Sequence, residues 1–116
     1  MPKVRIRPEW SYTRADMGRR LLRLRVALGK RRTEKSEAYT QTEFAEMADL
    51  SQGAYGNYEI GARQPAIAAL AKLRAAHDIT LDWLLLGDAD NMTHGLMKDL
   101  ESVTAAEMQA AKKKKK

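Results

Sequence analysis

Cysteine is absent from all 116 residues, so neither a disulfide nor a thiolate metal site can form. The histidines, His77 and His94, lie seventeen residues apart without an acidic partner pattern, and each reads as a lone exposed or helix-end side chain. No apolar run approaches the ~18 residues of a membrane span, and no signal-peptide pattern marks the N-terminus. No glycine-rich phosphate loop follows a strand, and the acidic residues are scattered as on solvated helix faces. These absences leave an enzyme nothing to work with. The expectation is a cytoplasmic, nucleoid-associated, non-enzymatic protein with no metal, no cofactor and no small-molecule ligand.

What is present is charge, unevenly placed. Residues 1–36 hold 12 basic and 3 acidic side chains, residues 37–111 hold 4 basic and 12 acidic, and Lys112 to Lys116 close the chain. The terminal lysine run reads as a solvated, disordered end or a cloning artefact and is weak testimony for nucleic acid. The basic first third says more, because so dense a charge favours an anionic partner.

The pattern along the chain is helical throughout, and the fold class is all-α. Lys3, Arg5 and Arg7 alternate with Val4 and Ile6, which predicts a basic arm over residues 1–12. A domain of five helices is expected over 13–87. Thr13 and Asp16 form a capping-box pair, Met17, Leu21, Leu24 and Leu28 make one apolar face, and Gly29 reads as the stop. Residues 30–38 have no apolar period and read as a basic loop. Thr40 with Glu43 caps a second helix, Tyr39 and Phe44 have staple spacing, and Phe44, Met47 and Ala48 are its expected buried face. Only Asp49 and Leu50 precede the next cap, Ser51, a turn that forces a steep helix crossing. Gly61 and Pro65 bracket the next connection, Ile67, Leu70 and Leu73 should point inward, and Thr80 to Gly87 bound a short fifth helix. Residues 88–95 read as a linker and 96–111 as one further helix, its Leu96, Leu100 and Val103 stripe in need of a partner surface. Packing back on its own domain and pairing with a second chain both satisfy that need.

The helix opened by Ser51 is odd. Ser51-Gln52-Gly53-Ala54-Tyr55-Gly56-Asn57-Tyr58 carries two glycines, each costing about 1 kcal/mol relative to alanine in a helix interior, and no charge that could offset them.

From about Met17 to Gly87 the chain resembles the Cro and phage-repressor (Xre-type) helix-turn-helix domain. The residues that carry the resemblance are Thr40-Gln41-Thr42-Glu43-Phe44-Ala45, Leu50-Ser51-Gln52, Tyr58-Glu59-Ile60-Gly61 with Pro65, and Leu81-Asp82-Trp83-Leu84-Leu85. The resemblance implies a lambda-repressor-like fold whose helix from Ser51 lies in the DNA major groove. Gln52 and Asn57 would read base edges, with Gly53 and Ala54 letting the backbone come close. The plainer alternative is that Gly53 and Gly56 only ease helix packing. Gln41, Thr40 and Arg63 match phosphate-contacting positions, to which the basic residues Lys30, Arg31 and Arg32 are added from the loop before the second helix. Arg25 and Glu59 match a pair that braces the recognition helix. Four features depart from the family: Asp49 where glycine is usual, Tyr55 for an aliphatic, Ala66 without a cap oxygen, and the long basic loop 30–38.

The expected function is that of a sequence-specific, double-stranded-DNA-binding transcriptional regulator, a phage or prophage-type repressor acting as a homodimer on a palindromic operator. The alternative is an antitoxin-like protein that binds a protein partner and autoregulates its own operon. A helix-turn-helix kept only as an interaction module is a third reading.

Overall fold

In the computed structural model, which describes residues 4–32 and 37–113, the chain folds around its first helix. Thr13 starts that helix, α1 (Arg14–Arg31): its hydroxyl accepts from the Asp16 N–H at 3.1 Å while the Asp16 carboxylate accepts from the Thr13 N–H at 3.2 Å. The same reciprocal cap, Thr40 with Glu43 at 3.1 and 2.8 Å, opens α2 (Gln41–Met47), and the Tyr39 and Phe44 rings meet at 6.2 Å. Such a cap satisfies two of the donors a helix start leaves orphaned. Four residues later comes α3 (Gln52–Glu59), capped by Ser51. Asp49 turns the corner with φ 54°, the left-handed conformation that aspartate adopts more readily than most side chains. Then follow α4 (Ile67–His77) and α5 (Leu81–Leu86), which ends on Gly87 at φ 82°. Ala66 gives α4 no side-chain cap. Five of the helices among the described residues thus fall between residues 13 and 87, and the class is all-α.

Two further helices, α6 (His94–Glu101) and α7 (Ala105–Lys112), replace the single helix expected over 96–111. The break has a local cause. Thr104 and Glu107 form a third capping box, at 2.9 and 3.1 Å, and an N-cap residue has extended backbone that no helix can run through. Leu96, Leu100 and Val103 are buried. Both helices pack on α1 of the same chain, which answers where the apolar stripe goes.

Gly29 does not stop α1. It lies inside the helix, buried, because the returning chain crosses it: a Cβ there would sit 2.3 Å from the Tyr39 nitrogen and 2.5 Å from the Glu37 carbonyl oxygen. Lys30 and Arg31 consequently belong to the last turn of α1 and Arg32 to its cap, not to a loop. Residues 33–36 of the expected loop lie outside the described residues, as do 1–3 of the arm and 114–116 of the lysine run.

Two core expectations are corrected. Met47, in the last turn of α2, is 46 % exposed, and Ala48 takes the buried place beside it. Ile67 is 86 % exposed, since the first turn of α4 leads away from the core and Ala69, Leu70 and Leu73 make the contact instead. Conversely α1 buries more than one stripe. Leu22 and Val26 join Leu21 and Leu24 in the core, because α3, α5, α6 and α7 all lie against this helix. Burying each such side chain contributes about 1.5–3 kcal/mol. The end of the arm is pinned as well: the Ser11 N–H donates to the Leu86 carbonyl at 3.0 Å, and Arg7 pairs with Asp90 at 3.0 Å. Among the described residues no helix is long and apolar enough to cross a membrane.

Candidate nucleic-acid interface

The short α3 divides cleanly. Tyr55, Tyr58 and Glu59 fall on one buried stripe, while Gly53 and Asn57, four residues apart, face out, with Gln52 and Ala54 half-buried between. Close packing accounts for the other side of the helix. Tyr55 is fully buried, its hydroxyl donating to the Leu21 carbonyl at 3.4 Å, and burial pushes its pKa well above the ordinary value, so the phenol stays neutral. The usual aliphatic thus gives way to an aromatic that stacks edge-on to Phe44 at 5.4 Å.

Behind α3 runs a chain of buried polar contacts. Arg25 Nε and Nη2 donate to the two Glu59 carboxylate oxygens at 2.9 and 2.7 Å. Arg25 Nη1 donates to the Tyr39 carbonyl at 2.7 Å and Nη2 to the Ala111 carbonyl at 2.9 Å. Burial alone would lower the Arg25 pKa, but the Glu59 carboxylate outweighs it and the pKa is raised. Glu59 Oε1 also accepts from Gln41 Nε2 at 3.1 Å, and Gln41 Oε1 accepts from Gln52 Nε2 at 2.7 Å. The amide of Gln52 is therefore fixed through Gln41, Glu59 and Arg25 to the centre of the fold. A charge-assisted network of this kind holds geometry as well as energy.

The glycines separate on this frame. A Cβ on Gly56 would lie 3.4 Å from both Gln41 Oε1 and Gln52 Nε2, an ordinary van der Waals contact with that amide pair. A Cβ on Gly53 would meet nothing within 4 Å. Close packing therefore demands glycine at neither position.

The remaining site residues are placed as follows. Gln41, expected at a phosphate, is only 4 % exposed and is occupied by Glu59 and Gln52. The Thr40 hydroxyl is taken by its own cap. Arg63 is exposed, its N–H donating to the Asn57 carbonyl at 3.2 Å. Lys30, Arg31 and Arg32 are each paired with an acid: Glu107 at 2.9 Å, Asp99 at 2.7 Å and Glu43 at 3.1 Å. The guanidinium of Arg32 also lies 4.0 Å over the Tyr39 ring. The basic character of α1 is thus largely met inside the molecule. Neither the Gln41–Gln52 bond nor the Ala111 contact is legible from helix periodicity, since both join elements across turns. Among the described residues no cluster of histidine and carboxylates could hold a metal. His77 is buried, stacked on Phe44 at 4.0 Å, and His94 is exposed.

A short helix, a four-residue turn through a left-handed residue and a second helix with one clean outward face define a helix-turn-helix protein. Residues 28–84 match the family described as Helix-turn-helix, and through that segment the chain belongs to it. Over 60 residues it is 30 % identical to an uncharacterised HTH-type transcriptional regulator, YqaE, of Bacillus subtilis (strain 168). The match covers 52 % of this chain and 52 % of the relative, so the chain spans about half the length of the curated relative it matches. No solved structure matches it significantly.

Proposed function

We propose that the protein is a sequence-specific, double-stranded-DNA-binding transcriptional regulator, a phage-type repressor that places α3 in the major groove. One observation carries the reading: the outward face of α3 presents Asn57 and an open Gly53 beside a Gln52 amide held in position by Gln41. An amide of this kind keeps an oxygen and a second N–H free, the set that pairs with adenine N6 and N7. Arg63, beyond the helix, is the exposed cation next to that face and contacts phosphate. The active species is a homodimer on a palindrome, because one recognition helix reads only about half a site.

Selection from a random DNA pool gives the preferred sequence. On it, Gln52→Ala and Asn57→Ala each cost about 1–3 kcal/mol and leave random DNA nearly untouched. Undiminished preference in both variants would remove α3 from base reading. Solution mass with and without that DNA reports the dimer, and a monomer in both conditions ends that part of the proposal. A second reading, an antitoxin-like chain with a protein partner, draws on Ile60 and Ile67, 72 and 86 % exposed at either end of the α3–α4 connection. It moves ahead if base preference is absent.

A further inference from the structure

We infer that Lys112 and Lys113 form a second, sequence-blind contact with the DNA backbone, held beside the recognition helix by α7. The inference rests on the DNA-binding reading above and gives a role to a lysine run that the sequence pattern alone assigns to bulk solvent.

The placement follows from two contacts along α7 and one cleft at its end. Near its start Glu107 pairs with Lys30 in the last turn of α1; near its end the Ala111 carbonyl accepts from Arg25, mid-way along α1. The helix therefore runs back along α1, antiparallel to it, and brings its last residue toward the middle of the domain. There Lys112 shares the lining of one cleft with Arg19, Gln41, Glu59 and Ile60. Gln41 is the residue whose amide holds Gln52. The guanidinium that fixes Ala111 is also the one that fixes Glu59 and, through it, Gln41 and Gln52. One buried network thus sets the position of the lysines and of the base-reading amide together.

Charge points the same way. Lys30, Arg31 and Arg32 are each engaged by a carboxylate, so a phosphate would have to displace a partner at every one. Lys112 and Lys113 are exposed, and neither has an ion-pair partner among the described residues. A lysine with no internal partner neutralises a phosphate without first breaking a pair, and each such contact releases condensed counterions. A lysine ammonium suits this work, being a point charge without the planar geometry that base reading demands.

The test compares the full-length wild type with a Lys112→Gln/Lys113→Gln variant and with Lys98→Gln, an exposed lysine on α6. Affinity is measured against the selected DNA and against random duplex from about 50 to about 200 mM salt. The double variant is expected to weaken both DNAs alike and to reduce the slope of log K against log salt by about 2, so that its disadvantage shrinks about tenfold across that range. Lys98→Gln should leave the slope unchanged. An unaltered slope in the double variant, with the wild type still binding DNA, overturns this proposal and spares the DNA-binding reading. An equal loss from Lys98→Gln also overturns it, since diffuse attraction would then suffice. If the wild type binds neither DNA, the DNA-binding reading itself fails and this inference falls with it.

Discussion

The guanidinium of Arg25 meets the carboxylate of Glu59 edge to edge, at 2.9 and 2.7 Å, with side-chain exposures of 0 and 3 %. The pair ties α1 to the last turn of α3. A buried pair of this sort contributes little net stability over an apolar substitute, but removing one partner strands the other charge out of water. Glu59→Ala is therefore expected to lower unfolding stability by about 3–5 kcal/mol. Affinity for the selected DNA should fall with it, because Gln41 and then Gln52 lose their anchor. Urea unfolding alongside a DNA titration checks both, and an unchanged midpoint would mean the network does not brace α3.

Gly53 and Gly29 predict opposite outcomes for the same substitution. At Gly53 an added Cβ meets nothing, so Gly53→Ala should stabilise the fold by up to about 1 kcal/mol through helix propensity. On the proposed reading its affinity for the selected DNA should nevertheless drop, because the methyl would stand between the α3 backbone and the groove. At Gly29 the Cβ would press on the backbone of Tyr39 and Glu37, so Gly29→Ala is expected to cost about 1–3 kcal/mol as overpacking. A Gly53→Ala protein that is both more stable and fully competent in binding would contradict the groove assignment of α3.

His77 sets an acid limit on stability. Burial lowers its pKa from 6.5 to about 4, and neither ring nitrogen has a hydrogen-bond partner among the described residues. The unfolded chain takes up this proton below about pH 6.5 and the folded one only near pH 4. The contribution is complete above pH 6.5 and is lost as pH falls through that window, about 3 kcal/mol in all. Asp16 and Glu43, held low by their threonine caps, and Glu107, held low by Lys30, add acid sensitivity only below their ordinary values of 3.8 and 4.5. His77→Leu should flatten the stability profile between pH 6.5 and about 4.5 while leaving the steeper loss below. Parallel profiles for wild type and variant, measured by urea unfolding, would show that His77 does not titrate in this way.

Sequence by itself determined the helices that announce their own ends. Thr13 with Asp16, Thr40 with Glu43, and Thr80 before Gly87 are local devices: a side chain bonds a backbone group three residues away, so the spacing alone reveals them. Thr104 with Glu107 is the same signal, lying inside the single helix expected over 96–111. Only the tertiary structure decided the rest. Gly29 has the look of a helix stop, and nothing within α1 discloses that Glu37 and Tyr39 cross over it. Leu96, Leu100 and Val103 show an apolar stripe, but a stripe does not say whether its own domain or a second chain covers it. Lys30, Arg31 and Arg32 give their charge in the sequence and withhold their carboxylates, which lie 11 to 77 residues away along the chain. The Gln41–Gln52 bond belongs with these. Local order follows from groups that are neighbours in sequence, whereas the polar network behind α3 exists only once α1, α2, α3 and α7 have excluded water from it.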